Sequence, residues 1–109
     1  MYTVLSGAWK LPQLIADNDC LVIQFGTQTC SPCRAIASKL QMWSRKHPEF
    51  NVVYVPMEKH LQQSVQMGVL SAPTLLTYID GQLTRRECGY FSLERALSKT
   101  EKLMKFRNG

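Results

Sequence analysis

Apolar positions fall into two rhythms along the chain. Leu21-Val22-Ile23-Gln24-Phe25-Gly26 is a nearly continuous apolar run, and a run of that length predicts a strand buried on both faces. Further on, Cys33, Ile36, Ala37, Leu40 and Trp43 recur at three- and four-residue spacing, the stripe of a helix that buries one face. Arg45 and Lys46 fall in its last turn, where cations suit the helix dipole, and Pro48 ends it. Asn51 to Val55 predicts another strand, and residues 59–67 a short helix with Gly68 as its C-cap. At the start, Tyr2 to Leu5 predicts a short strand and residues 8–17 a helix that Pro12 either starts or kinks.

The second half alternates less. Thr74 to Ile79 predicts a strand, and Asp80-Gly81 is a strong two-residue hairpin signal that returns Gln82 to Cys88 antiparallel. Ser92 is a good N-cap, with Glu94 in the first turn; Leu93, Ala96, Leu97, Leu103 and Met104 then line the apolar face of a last helix. The order is β-α-β-α-β-α-β-β-α. It predicts one α/β domain over residues 1–109, a sheet with helices on both faces and a closing hairpin.

Composition narrows the class. Of 109 residues, 45% are hydrophobic and 19% charged with no long run of one sign, which suits an ordinary core and argues against disorder. No apolar stretch approaches the roughly 18 residues of a transmembrane helix. Met1-Tyr2-Thr3-Val4-Leu5 has no basic n-region, and no apolar core with a cleavage site follows. A soluble, cytoplasmic protein without a membrane partner is expected. The net charge is +5, but the basic residues are scattered; only Arg85-Arg86 and the tail (Lys99, Lys102, Lys105, Arg107) cluster. That pattern suits a strand edge and a solvated helix face, so no nucleic-acid partner is expected. The charge would favour acidic partner proteins.

The four cysteines change the picture most. Cys30-Ser31-Pro32-Cys33 follows the buried strand and opens the helix. The first thiol then sits where unpaired backbone N–H groups and the positive dipole end stabilise a thiolate. Pro32 fits the first turn because no N–H is needed there. Cys33 lies one turn on, on the same face, and Arg34 adds a positive charge close by. A thiolate that attacks and a second thiol that resolves are what thiol–disulfide exchange needs, so Cys30 is the candidate attacking thiol and Cys33 the candidate resolving thiol. Structural zinc wants four ligands; Cys20 and Cys88 are lone, and His47 and His60 are not suitably spaced. A c-type haem needs His after the second cysteine, where Arg34 stands. A buried structural thiol pair would not explain the Pro-containing helix start. Zinc and a structural pair stay open as lesser alternatives; no metal or cofactor is expected. Cys20 and Cys88 are expected to be small buried strand residues, His47 a cap for helix carbonyls, and the methionines core fillers.

The chain resembles the thioredoxin family over nearly its whole length. Cys30-Ser31-Pro32-Cys33 is similar to that family's active-site motif, with Ser31 where glycine is usual. Ser71-Ala72-Pro73-Thr74 resembles the loop whose cis-proline faces the disulfide and holds the substrate chain by backbone hydrogen bonds. Asp80-Gly81 and Gly89 match the family's hairpin turn and late glycine. The resemblance implies the thioredoxin fold, a central mixed β-sheet flanked by helices. It implies a thiol–disulfide oxidoreductase that reduces protein disulfides, served by a reducing partner such as a thioredoxin reductase. Thr29, Ser31, Pro32, Ala72, Pro73 and Gly89 are the implied substrate-binding residues, with Arg34 and Gln24 tuning the thiols. Three departures stand out: Thr29 replaces the usual Trp, Gln24 the usual buried Asp, and Tyr54 the lysine partner of that Asp. With those losses, a binding module with weak or vestigial redox chemistry is the alternative function. A glutaredoxin-like use of glutathione is a lesser one, for which the loops show no clear signature.

Overall fold

The computed structural model describes residues 1–109. Its elements are β1 (Tyr2–Val4), α1 (Leu11–Asp17), β2 (Cys20–Gly26), α2 (Ser31–Lys46), β3 (Asn51–Pro56), a 3-10 turn (Met57–Lys59), α3 (Leu61–Gln66), β4 (Thr74–Ile79), β5 (Gln82–Cys88) and α4 (Leu93–Arg107). The five strands form one sheet in the order β1-β3-β2-β4-β5. β1, β3 and β2 run parallel, while β4 is antiparallel to both β2 and β5.

The apolar run of β2 is the centre of the molecule, and every one of its residues is buried. Alternation along the strand divides the core in two. Cys20 and Val22 face a cluster built with Leu40 and Trp43 of α2 and Leu93, Leu97 and Met104 of α4. Leu21, Ile23 and Phe25 face the opposite cluster, with Leu11, Met57 and Val69. Helices therefore cover both faces, and α2 lies on the face to which Gln24 also belongs. No helix is long and apolar enough to cross a membrane.

Local chemistry explains the element ends. Pro12 lies in the first turn of α1, so it starts the helix instead of kinking it, and α1 begins later than the apolar pattern suggests. Gly68, at φ +78, follows α3 and donates its N–H to the Val65 carbonyl at 2.8 Å. Asp80 (φ 53) and Gly81 (φ 79) both take the left-handed conformation of a tight hairpin turn. The Ser92 hydroxyl accepts the Arg95 N–H at 3.2 Å and caps α4.

Four expectations are corrected. Met1 and Met42 are exposed, so the methionines are not all core fillers. Cys88 is exposed, not buried; β5 is the edge strand of the sheet, and none of its residues is fully buried. Leu103 is 40% exposed, because Met104 already fills the position on α4 that meets the core. His47 does cap α2, but through its backbone N–H, which donates to the Trp43 carbonyl at 3.0 Å, and not through its imidazole. The imidazole packs 5.0 Å from the Trp43 ring, with Nε2 at 3.5 Å from Glu101 Oε1.

The two cysteines outside the motif should therefore behave differently. Burial, aided by the Glu49 carboxylate, pushes the Cys20 thiol up to about 12, so almost no thiolate exists at neutral pH. Iodoacetamide at pH 8 should modify the oxidised native protein once, at Cys88, and reach Cys20 only after unfolding. Native labelling of Cys20, read by peptide mass spectrometry, would contradict this burial.

Candidate functional site

β2 ends at Gly26, and the chain turns through Thr27, Gln28 and Thr29 into α2. Polar contacts hold that turn. The Cys30 N–H donates to the Thr27 carbonyl at 3.3 Å, and the Gln28 N–H donates to Glu58 Oε2 at 3.0 Å. Gly26 allows a close approach from the next strand. A Cβ there would stand 2.6 Å from the Tyr54 hydroxyl, so this ring can lie against β2 only because no side chain intervenes. Burial, with the Glu58 carboxylate nearby, holds the Tyr54 hydroxyl above its ordinary value.

Cys30 is the N-cap residue of α2 and Cys33 its first fully buried side chain. The two are joined as a disulfide, with Cα atoms 5.3 Å apart. The Ser31 N–H has no partner within the chain and Pro32 has none to offer, while the Cys33 N–H turns back to the Cys30 carbonyl at 3.1 Å. Once the disulfide opens, a thiolate at Cys30 meets the unpaired end of a sixteen-residue helix with no acidic side chain in its first turn. Cys33 lies below the surface, shielded from solvent.

The opposite wall comes from β4. Phe25 pairs with Thr74 in the β2–β4 ladder, which brings the loop before β4 alongside the end of β2. The Ala72–Pro73 bond is cis. The Pro73 carbonyl accepts the Gly89 N–H at 3.1 Å, whereas Ala72 makes no backbone bond within the chain. Thr29, Ser31 and Pro32 beside Cys30, and Ala72, Pro73 and Gly89 across from it, line one open groove of about 570 Å³. Thr27 and Tyr90 complete it.

Gln24 and Arg34 lie outside the groove. Gln24 is fully buried between Tyr54 and Leu75 in the sheet. Its Nε2 donates to the Cys33 carbonyl at 2.8 Å, while its Oε1 is buried without a partner. It therefore touches the backbone of the buried cysteine from below. Arg34 is exposed, and its guanidinium reaches the Gln28 carbonyl at 3.5 Å, so its visible contact is with the turn. Sequence reasoning missed Glu58, Thr27 and Tyr90. Tyr90 is an aromatic residue placed directly after a turn glycine.

The thioredoxin family model matches residues 6–102 of the chain. Among curated relatives, a Pyricularia oryzae protein named thioredoxin-2 is 28% identical over 72% of this chain and 46% of its own length. An Aspergillus fumigatus thioredoxin is 33% identical over 63% of this chain and 65% of its own. The chain thus spans less than two thirds of each of these two relatives. Mitochondrial thioredoxin 3 of Saccharomyces cerevisiae, in its oxidised form, superposes with a TM-score of 0.79 at 28% identity, over 93% of either chain. A mutant thioredoxin of Halobacterium salinarum shares the fold at a TM-score of 0.78 and 21% identity, over 91% of this chain and 86% of that one. The matched range includes all the residues that line the groove, and the chain belongs to the thioredoxin family.

Proposed function

We propose that the chain is a thiol–disulfide oxidoreductase that reduces protein disulfides through Cys30 and Cys33. The observation that carries this is the placement of a closed cysteine pair at the start of α2, with the first cysteine in a groove and the second beneath it. In the reduced protein the Cys30 thiolate attacks one sulfur of a substrate disulfide. A Cys30–substrate disulfide forms, and the other substrate sulfur leaves as a thiolate, which takes up a proton. Cys33 then loses its proton and attacks Cys30 sulfur, closing the pair and releasing the second substrate thiolate. The protein dithiol gives up two electrons and the substrate disulfide gains two. A reducing partner protein, such as a thioredoxin reductase, would return the electrons. A cytoplasmic setting, with its reducing thiol pool, suits a protein that works in this direction.

Binding would use the free main chain of the groove. The N–H and C=O of Ala72 could pair with an extended substrate segment as an added strand does. Ser31 supplies a second free N–H near the reacting sulfurs. The dipeptide between the cysteines has no His, so the thiolate is less stabilised than with that extra cation and the disulfide is a weaker oxidant. That direction favours reduction of substrates.

The test is reduction of insulin with dithiothreitol as electron donor. The wild-type protein should bring forward the precipitation of the insulin B chain. A rate no greater than dithiothreitol alone would reject the proposal and leave a binding module in its place.

A further inference from the structure

The groove at Cys30 does not stop at Gly89. Pro32, Gly89 and Tyr90 are also the near rim of a second groove, which continues between the first turns of α2 and α4. Its floor is apolar: Ala35, half-buried Ile36, half-buried Phe91 and buried Leu93. Its far end is closed by the Lys39–Glu94 ion pair at 3.0 Å, which ties α2 to α4. Gly89, at φ +71 with open space where a side chain would project, leaves the passage between the two grooves clear. Tyr90 stands at that junction and is fully exposed. An aromatic ring packed against nothing is a poor core residue, but it offers a partner a large contact with few torsions to freeze. On the other side of Cys30, Thr29 gives no aromatic surface.

We propose that Tyr90 is a specificity-determining residue and that the second groove takes a bulky apolar or aromatic side chain of the substrate polypeptide, a few residues from the attacked cysteine. The occupant is the substrate chain because the second groove is continuous with the one that presents Cys30. An extended strand advances about 3.3 Å per residue, so a segment lying across Cys30 and past Gly89 arrives at the apolar floor within a few residues. The proposal rests on the oxidoreductase function above. It adds a preference that Cys30, Cys33 and Pro73 do not supply.

Two peptide disulfides test it. Each is a symmetric dimer of an eight-residue peptide with one cysteine, carrying phenylalanine three residues to either side in one peptide and serine in the other. Single-turnover reduction by the pre-reduced wild-type protein should favour the phenylalanine peptide by about tenfold in kcat/KM, the scale of one aromatic contact with partial burial. Tyr90→Ala and Ala35→Glu should each bring that ratio close to one, and Tyr90→Phe should keep it. A wild-type ratio near one would overturn the proposal, as would a Tyr90→Ala loss falling equally on both peptides. If the wild-type protein reduces neither peptide, the oxidoreductase function fails, and the groove is then tested by binding alone. The phenylalanine peptide with serine in place of cysteine should shift the amide NMR signals of Ile36, Gly89 and Phe91. Absence of those shifts would reject the groove as well.

Discussion

A Cys33→Ser protein will accumulate its substrates as mixed disulfides on Cys30, and a Cys30→Ser protein will accumulate none. The asymmetry follows from where the helix places the two thiols. Cys30 is the N-cap residue, lining the groove beside the unpaired Ser31 N–H. Cys33 is 1% exposed and lies behind it. Without Cys33 the first exchange still proceeds, but no internal thiol displaces the bound substrate. Without Cys30 the remaining thiol is buried and has no route to a disulfide in another protein. Turnover by Cys30→Ser should fall by about a thousandfold or more, as expected when a nucleophile is removed. Non-reducing electrophoresis after an oxidative challenge shows the trapped species directly. Cys88, the exposed third thiol, should be replaced by alanine in both variants so that it forms no disulfides of its own. Equal trapping by both variants would reverse or abolish the assigned roles.

The second large effect is expected at Gln24. After the first attack Cys33 must give up a proton, and a titratable group beside it would act as a general base worth roughly a hundredfold. Gln24 touches the Cys33 carbonyl through Nε2 but cannot titrate. Gln24→Glu keeps the length of the side chain and adds that capacity. In its neutral form the new carboxyl can donate its proton to the Cys33 carbonyl, as Nε2 does now. Ionised, it can accept the Cys33 proton, so resolution of the mixed disulfide should speed by about a hundredfold. The same negative charge should make the Cys30 thiolate harder to form and raise its pKa.

Stability should carry a matching signature. Burial raises the carboxyl pKa in the folded state above the unfolded value of about 4.3. Below that value the group is neutral in both states and the variant should resemble the parent. As pH rises from there through the folded pKa, stability is lost, by about 1.4 kcal/mol for each unit of displacement. Above the folded pKa the loss is constant. Urea denaturation at pH 4 and pH 8 measures the penalty, and rapid-quench kinetics measures resolution. A folded variant that shows the pH-dependent penalty yet resolves no faster would sink the general-base prediction.

The chemistry-bearing parts were readable in the sequence where a residue's role depends on its own segment. The β2 run and the α2 stripe follow from local periodicity, and the Cys30-Ser31-Pro32-Cys33 motif lies at their junction. The Asp80-Gly81 turn is equally local, because only a few residue pairs accept positive φ at both positions. What was not readable depends on neighbours. Cys88 sits in a strand that looks like any other until the sheet order makes β5 an edge. Gln24 is one polar residue in an apolar run, and only the pairing of β2 with the start of α2 gives it the Cys33 carbonyl. Glu58 reaches Gln28 across thirty positions of sequence, a distance at which periodicity carries no information. Tyr90 was overlooked because an aromatic residue beside a strand end usually packs inward, and nothing local marks the one that does not.

The β2–β4 ladder has a further consequence as a measuring device. Both halves of the groove hang from it: Cys30 comes one short turn after the end of β2, and Pro73 directly precedes the first residue of β4, at the end where Phe25 meets Thr74. A slip of one step would displace Pro73 by about 3.3 Å along β2. It would also turn alternate side chains of a slipped strand to the opposite core. If β2 were the strand that slipped, Gln24 would leave the helix α2 face while Phe25 was driven onto it. Misalignment would therefore damage the packing and the chemistry together. Chains with the wrong register would be silent and short-lived, so a population of this protein should contain few molecules that are folded but mis-set.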